Sequence, residues 1–183
     1  MDNTAVSRWY VLRDLRRSNV KEHAYQLLER LAQERIKIFT PLVKQIVPLK
    51  GKKELIEKPF INDLLFVYAN QLTLDPLIER VGSLPYRYVR GGKPQEPMVI
   101  REKEMNQFIT IVQGREPYQF YKPEEVTPAM YGQKILMVGG WLDGYQGRLM
   151  TTRGSRVRRL IVELEGLLAV GVAVHPDYIQ IVE

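Results

Sequence analysis

The chain has 183 residues, 45% hydrophobic and 26% charged, enough for one sizeable core or two small ones, so disorder along its whole length is excluded. No apolar stretch approaches the ~20 residues that a membrane-spanning helix requires, and with no cysteine there is neither a disulfide framework nor a thiolate metal cage. The net charge of +6 sits in the first third: residues 1–58 hold 13 Lys/Arg against 7 Asp/Glu, residues 59–130 hold 8 against 9, and residues 131–183 hold 6 against 5.

A localised basic surface is the footprint of a polyanionic partner, with nucleic acid the first candidate and a solvated face that aids solubility the plain alternative. The N-terminus lacks the charged-then-apolar layout of a signal peptide, which places the expected chain in the cytoplasm. Trp9–Arg13, aromatic and β-branched, reads as a first strand, and Asp14–Ser18 as a basic loop. Asn19 with Glu22 resembles a capping box, and Val20, Ala24, Leu27, Leu28 and Leu31 recur at helical spacing, which predicts a helix over Val20–Glu34. Ile36–Thr40 reads as a strand ended by Pro41 and continued by Val43–Val47, and Pro48–Lys53 as a basic turn.

Lys58–Ala69 is an apolar run suited to a central strand. Alternation would put Phe60, Asn62, Leu64, Phe66 and Tyr68 on one face and Ile61, Asp63, Leu65, Val67 and Ala69 on the other, so both faces need cover. Asp75-Pro76 reads as a cap and first helical position for a short helix, Leu77–Val81. Gly82–Pro97 holds two strand-like fragments, notably Tyr86–Arg90, and a Gly91-Gly92 turn.

Met105, Phe108, Ile109 and Val112 predict a helix over Ile100–Val112 that closes a first domain, residues 1–112, of helices on an antiparallel sheet. Pro117, Pro123 and Pro128 mark residues 113–130 as a linker. In residues 131–183, Ile135–Val138, Gly147–Met150, Arg159–Glu163 and Leu168–Val172 are short strands between glycine-rich turns, the pattern of a small all-β barrel, with Thr152–Arg156 as a basic hairpin tip. The fold class expected is α+β.

Catalytic chemistry has little to stand on. His23 and His175 lack a recognisable set of partners, and Gly139–Gly147 is followed by no Gly-Lys-Ser/Thr. Glu163 and Glu165 share a strand face without a histidine cluster to complete a metal site. The expectation is a non-enzymatic chain with no cofactor and no metal.

Trp9-Tyr10-Val11-Leu12, the Pro59–Val67 stretch and the run from Gly132 to Gly147 together resemble the NusG family of transcription elongation factors, an NGN domain followed by a KOW motif, over nearly the whole chain. Leu64–Tyr68, Pro97–Ile109 and Arg159–Val170 resemble most the specialised UpxY-type antiterminators of capsular polysaccharide operons. The resemblance implies docking on the β′ clamp helices of RNA polymerase and bridging toward the β subunit, with Ile61, Leu64 and Phe66 as contacts. It implies a further contact of Arg13, Arg16, Arg17 and Lys21 with the non-template DNA strand. Gly132, Gly139, Gly144 and Gly147 carry the KOW motif, whose partner would be a small-subunit ribosomal protein or the Rho factor. Asn62-Asp63-Leu64 stands where NusG usually has Pro-Gly-Tyr. The competing reading is an RNA-binding module of a translation-related protein that uses the KOW turns and the Arg153–Arg159 cluster.

Overall fold

The aromatic stretch at Trp9 becomes one of the two inner strands of a sheet. In the computed structural model, which describes residues 5–16, 22–32, 35–49, 51–150, 157–164 and 166–182, contacts divide the chain into two units, Met1–Arg101 and Glu102–Glu183. The first holds β1 (Arg8–Leu12), α1 (Ala24–Ala32), β2 (Lys37–Phe39), β3 (Leu42–Leu49), β4 (Lys52–Pro59), β5 (Leu65–Ala69), α2 (Gln71–Val81) and β6 (Val99–Ile100). As expected, the architecture is α+β.

Four strands form an antiparallel sheet in the order β2-β5-β1-β6, with Tyr10 opposite Val67 and Leu12 opposite Leu65. This register sends Tyr10, Leu12, Leu65, Val67 and Ala69 to one face, where they pack with Ala24 and Leu28 of α1 and Leu74 and Leu77 of α2. The opposite face carries Trp9 against Tyr68, with ring centroids 5.4 Å apart, and Phe39 against Phe66 at 6.3 Å.

Lys58–Ala69 is not one strand. The chain runs out of β4 at Pro59, turns through Phe60–Leu64, and enters β5 only at Leu65. The Phe60 N–H donates to the Pro41 carbonyl at 2.8 Å and the Leu64 N–H to the Ile61 carbonyl at 3.3 Å, which closes the turn. The basic turn at Pro48–Lys53 is likewise the end of a long hairpin, β3–β4, that forms a sheet by itself.

Helix α1 begins at Ala24, later than expected; Asn19 and the proposed start at Val20 lie outside the described residues. Its first N–H donates to the Asp14 carboxylate at 3.4 Å, so an acid in the loop after β1 serves as a cap. Helix α2 is longer than the predicted Leu77–Val81. Its cap is Asn70, whose side chain accepts from the Thr73 N–H at 2.8 Å, and Pro76 is inside it. Asp75 instead accepts from the Tyr86 hydroxyl at 2.6 Å. Gly82 ends the helix in the left-handed region, φ 64, and donates to the Ile78 carbonyl.

The second unit holds α3 (Glu102–Gln113), β7 (Tyr118–Tyr121), β8 (Tyr131–Met137), β9 (Gln146–Met150), β10 (Arg159–Leu164), β11 (Leu168–Ala173) and β12 (Ile179–Ile181). Six strands form one antiparallel sheet in the order β12-β8-β9-β10-β11-β7. Two features differ from the expected boundaries at 112 and 131. Contacts divide the chain before α3, which packs on β10 and β11, and the expected linker contains β7, paired with β11 from Tyr118↔Val172 to Tyr121↔Ala169. The buried stripe of α3 is Met105, Phe108 and Ile111, with Ile109 and Val112 only half-buried, and Phe108 stacks on Phe120 at 6.0 Å. Strand β12, not anticipated, pairs with β8. The basic tip Thr152–Arg156 lies outside the described residues.

Three outcomes test these assignments. Asn70→Ala should cost about 1 kcal/mol of stability in denaturant melts; no loss would place the start of α2 elsewhere. Gly147 lies so close to the Ile161 carbonyl of the neighbouring strand that no side chain fits, so Gly147→Ala should destabilise by about 1–3 kcal/mol in the same melts. A neutral result would disprove the β9–β10 approach.

Tyr131 donates its hydroxyl hydrogen bond to the Glu163 carboxylate, and its pKa is pushed up to about 12, first by burial and then by that bond. The folded value exceeds the ordinary value of 10, so this contribution to stability is complete below that pH and is lost as pH rises through the folded value. A difference ultraviolet titration against Tyr131→Phe should show Tyr131 ionising late, and Glu163→Gln should move the midpoint down. Coincident midpoints would sink the pairing.

Candidate functional site

The turn between β4 and β5 and the loop after β1 lie side by side because β1 and β5 are antiparallel, which brings the residues following Leu12 next to those preceding Leu65. Arg13 and Asp63 meet there: the guanidinium donates to the Asp63 carboxylate at 3.2 Å, with both side chains well exposed. Such an exposed pair contributes about 0–1 kcal/mol, so it orients the two groups more than it stabilises the fold. Asp63 belongs to the Asn62-Asp63-Leu64 departure noted in the sequence, and the pairing gives that departure a structural role.

Arg16 is used locally. Its guanidinium donates to the Glu22 carbonyl at 2.6 Å and its own N–H to the Asp14 carboxylate at 2.9 Å, so the loop from β1 to α1 is braced from both ends. Arg17 and Lys21 lie outside the described residues. Of the four basic candidates, Arg13 is thus exposed but paired, and Arg16 is half-buried and bonded to backbone.

The three apolar candidates separate in the same way. Ile61 is half-exposed on the turn, whereas Leu64 is 2% and Phe66 0% exposed. Phe66 is held opposite Val11 in the sheet and beside Phe39, and the Leu64 carbonyl accepts from the Thr40 hydroxyl at 3.3 Å. Ile61 therefore presents side-chain surface, while Leu64 and Phe66 serve as core. Sequence reasoning missed Asp63 because its partner lies 50 positions away. It also missed the length of β3–β4, although two extended runs flank Lys50-Gly51 as a hairpin would require.

In the second unit the four motif glycines divide into two kinds. Gly132 in β8 and Gly147 in β9 stand where a neighbouring strand passes closely: a Cβ on Gly132 would come 2.5 Å from the Leu149 carbonyl oxygen. Gly139 and Gly144 have φ of 88 and 77 and shape the loop between β8 and β9. That loop is closed by the Gly144 N–H to the Met137 carbonyl and the Met137 N–H to the Tyr145 carbonyl, each 2.8 Å, and by the Gly139 N–H to the Asp143 carboxylate at 2.5 Å. Gly139 and Gly140 lie under the Tyr178 ring, and half-exposed Trp141 and Tyr178 line a cleft of about 340 Å³ with His175.

Each histidine has a local partner. His23 stacks on Tyr25, and the His175 ring faces the Asp177 carboxylate at 3.4 Å. Among the described residues no group of His, Asp and Glu is placed to hold a metal, and no helix is long and apolar enough to cross a membrane. Of the Arg153–Arg159 cluster, Arg158 is exposed and Arg159 half-buried, while residues 153–156 are outside the described set.

The family model described as transcription termination factor NusG matches residues 7–109, from β1 into α3. No curated protein matches the chain. Among solved structures, one on domain interaction in Thermotoga maritima NusG is similar, with 16% identity and a TM-score of 0.46 over 97% of this chain and 98% of that one. With more than half its length matched by the family model, the chain belongs to the NusG family of transcription factors.

Proposed function

We propose that this protein is a cytoplasmic transcription elongation factor that binds RNA polymerase through its first unit and suppresses pausing or termination. The observation that carries the proposal is the family match across residues 7–109, which includes the whole four-stranded sheet and the Phe60–Leu64 turn. The stretches resembling UpxY-type antiterminators support an operon-specific factor of the capsular polysaccharide kind. The docking site is the clamp-helix region of β′, with a bridge toward β. Non-template DNA is contacted from the loop after β1, and a small-subunit ribosomal protein or Rho is taken up through the KOW sheet.

The mechanism requires no bond chemistry. A bridge that binds the elongating state of polymerase better than the paused state shifts the balance between them by that difference in affinity, and only by that. Ile61 is the apolar candidate with surface to offer, so it is the contact available at encounter. Leu64 and Phe66 contribute by holding the turn in place, and contact through either needs a rearrangement that exposes it. Arg13 reaches a DNA phosphate only by exchanging Asp63 for it, which at an exposed pair costs little.

The test is co-purification with polymerase elongation complexes at low salt. Ile61→Asn should keep the thermal midpoint while weakening retention about tenfold, as for loss of an interface anchor. Leu64→Ser should instead cost about 2–5 kcal/mol of stability. If the natural chain is not retained at all, the elongation reading falls; if Ile61→Asn binds as well as the natural chain, the turn is not the docking surface.

A further inference from the structure

Hairpin β3–β4 contributes nothing to the four-stranded sheet. Its eight cross-strand pairs run from Leu42↔Pro59 at the root to Leu49↔Lys52 near the tip. At ~3.4 Å per residue the arm is about 25 Å long. Pro41 and Pro59 are buried at the root, but from Lys44 to Glu57 every side chain whose surroundings are described is exposed, apart from half-buried Val47.

A two-stranded ribbon is marginal in water by itself, and this one exposes apolar groups as well. Ile46 and Leu55 lie opposite each other on one face at 62% and 64% exposure. Pro48 and Lys53 are on the same face toward the tip, and Lys44 and Glu57 toward the root. Across Leu42–Pro59 the charges are Lys44, Lys50, Lys52, Lys53 and Lys58 against Glu54 and Glu57. Exposed apolar surface asks for a partner, and the excess of lysine at the tip specifies a polyanion.

We propose that β3–β4 is a DNA-binding arm that lies in a groove of double-stranded DNA, with Lys52 and Lys53 on phosphates and the Ile46–Leu55 pair against the groove floor. The B-form major groove, about 12 Å wide, admits a two-stranded β-ribbon. The major groove of an A-form RNA duplex is too narrow, which selects DNA over RNA. Lysine contacts to phosphate carry no sequence information, so the arm grips many sequences and its affinity falls steeply with salt. This site shares no residue with the loop after β1 and needs no polymerase.

The experiment is fluorescence anisotropy of the full-length chain with a labelled DNA duplex, the same sequence as a single strand, and the matching RNA duplex, over a range of salt. The DNA duplex should bind tightest. Replacing both lysines, Lys52→Ser with Lys53→Ser, should make the slope of log K against log salt shallower by about 2. Ile46→Ser with Leu55→Ser should weaken binding several-fold at unchanged slope. Both double variants alter exposed side chains and should keep the thermal midpoint of the natural chain, which separates lost contact from lost fold. Absence of duplex binding at low salt, an unchanged slope in the lysine variant, undiminished binding by the apolar variant, or a preference for the single strand or RNA duplex would each overturn the proposal. DNA binding by a chain that polymerase complexes do not retain would leave the arm standing and sink the elongation reading alone.

Discussion

The first unit depends on one pairing, the antiparallel ladder from Arg8↔Ala69 to Leu12↔Leu65. Its two strands are more than 50 residues apart, so the ladder must repay the closure of a long loop. A slip of β5 by one residue would turn its side chains over and send Phe66 and Tyr68 to the helices in place of Leu65 and Val67. The register also fixes what lies beyond the ladder. Extending it past Leu12 and Leu65 brings Arg13 to Asp63 and hangs the Ile61 turn beside the loop that Asp14 and Arg16 brace.

Where local chemistry and tertiary placement agree, the sequence was readable. Trp9–Leu12 and Leu65–Ala69 alternate as strands do, and their division between two faces matches the buried cluster. The four central strands of the second unit also lie close to where Gly-bounded apolar runs put them. Errors arose where an apolar run hid a turn or a polar residue had two possible uses. Phe60–Leu64 is apolar enough to read as strand, and only the short Asn62-Asp63 pair hinted otherwise. Asp75 before Pro76 looked like a cap, but a tyrosine hydroxyl eleven positions away holds it, and Asn70 caps a helix that tolerates the proline inside. β7 and β12 were illegible for another reason. Each is a short edge strand whose identity comes from its neighbour, β11 or β8, and not from its own pattern.

The basic excess of the first third dissolves into several local arrangements once the side chains are placed. One arginine is paired with a carboxylate and another braces a loop, while lysines gather along an exposed ribbon. Net charge therefore located a region without distinguishing cations that hold the fold from cations that face solvent. The glycines of the second unit divide similarly. Two permit close passage of strands and two permit a left-handed turn, so one motif encodes both the sheet and the loop that frames the Trp141–Tyr178 cleft.

Helix α3 is matched with the sequence before it yet packs with the strands after it. Any cleavage of the chain has to come to terms with that. A proteolytic or engineered cut after residue 112 would keep the helix with the four-stranded sheet but strip Phe120 and the β10–β11 surface from Met105, Phe108 and Ile111, leaving an adhesive apolar stripe on the first piece and a bare sheet on the second. A cut after Arg101 keeps that packing with the second piece. The modular boundary of this protein, as an exchangeable part, thus falls before the helix and not in the proline-rich stretch behind it.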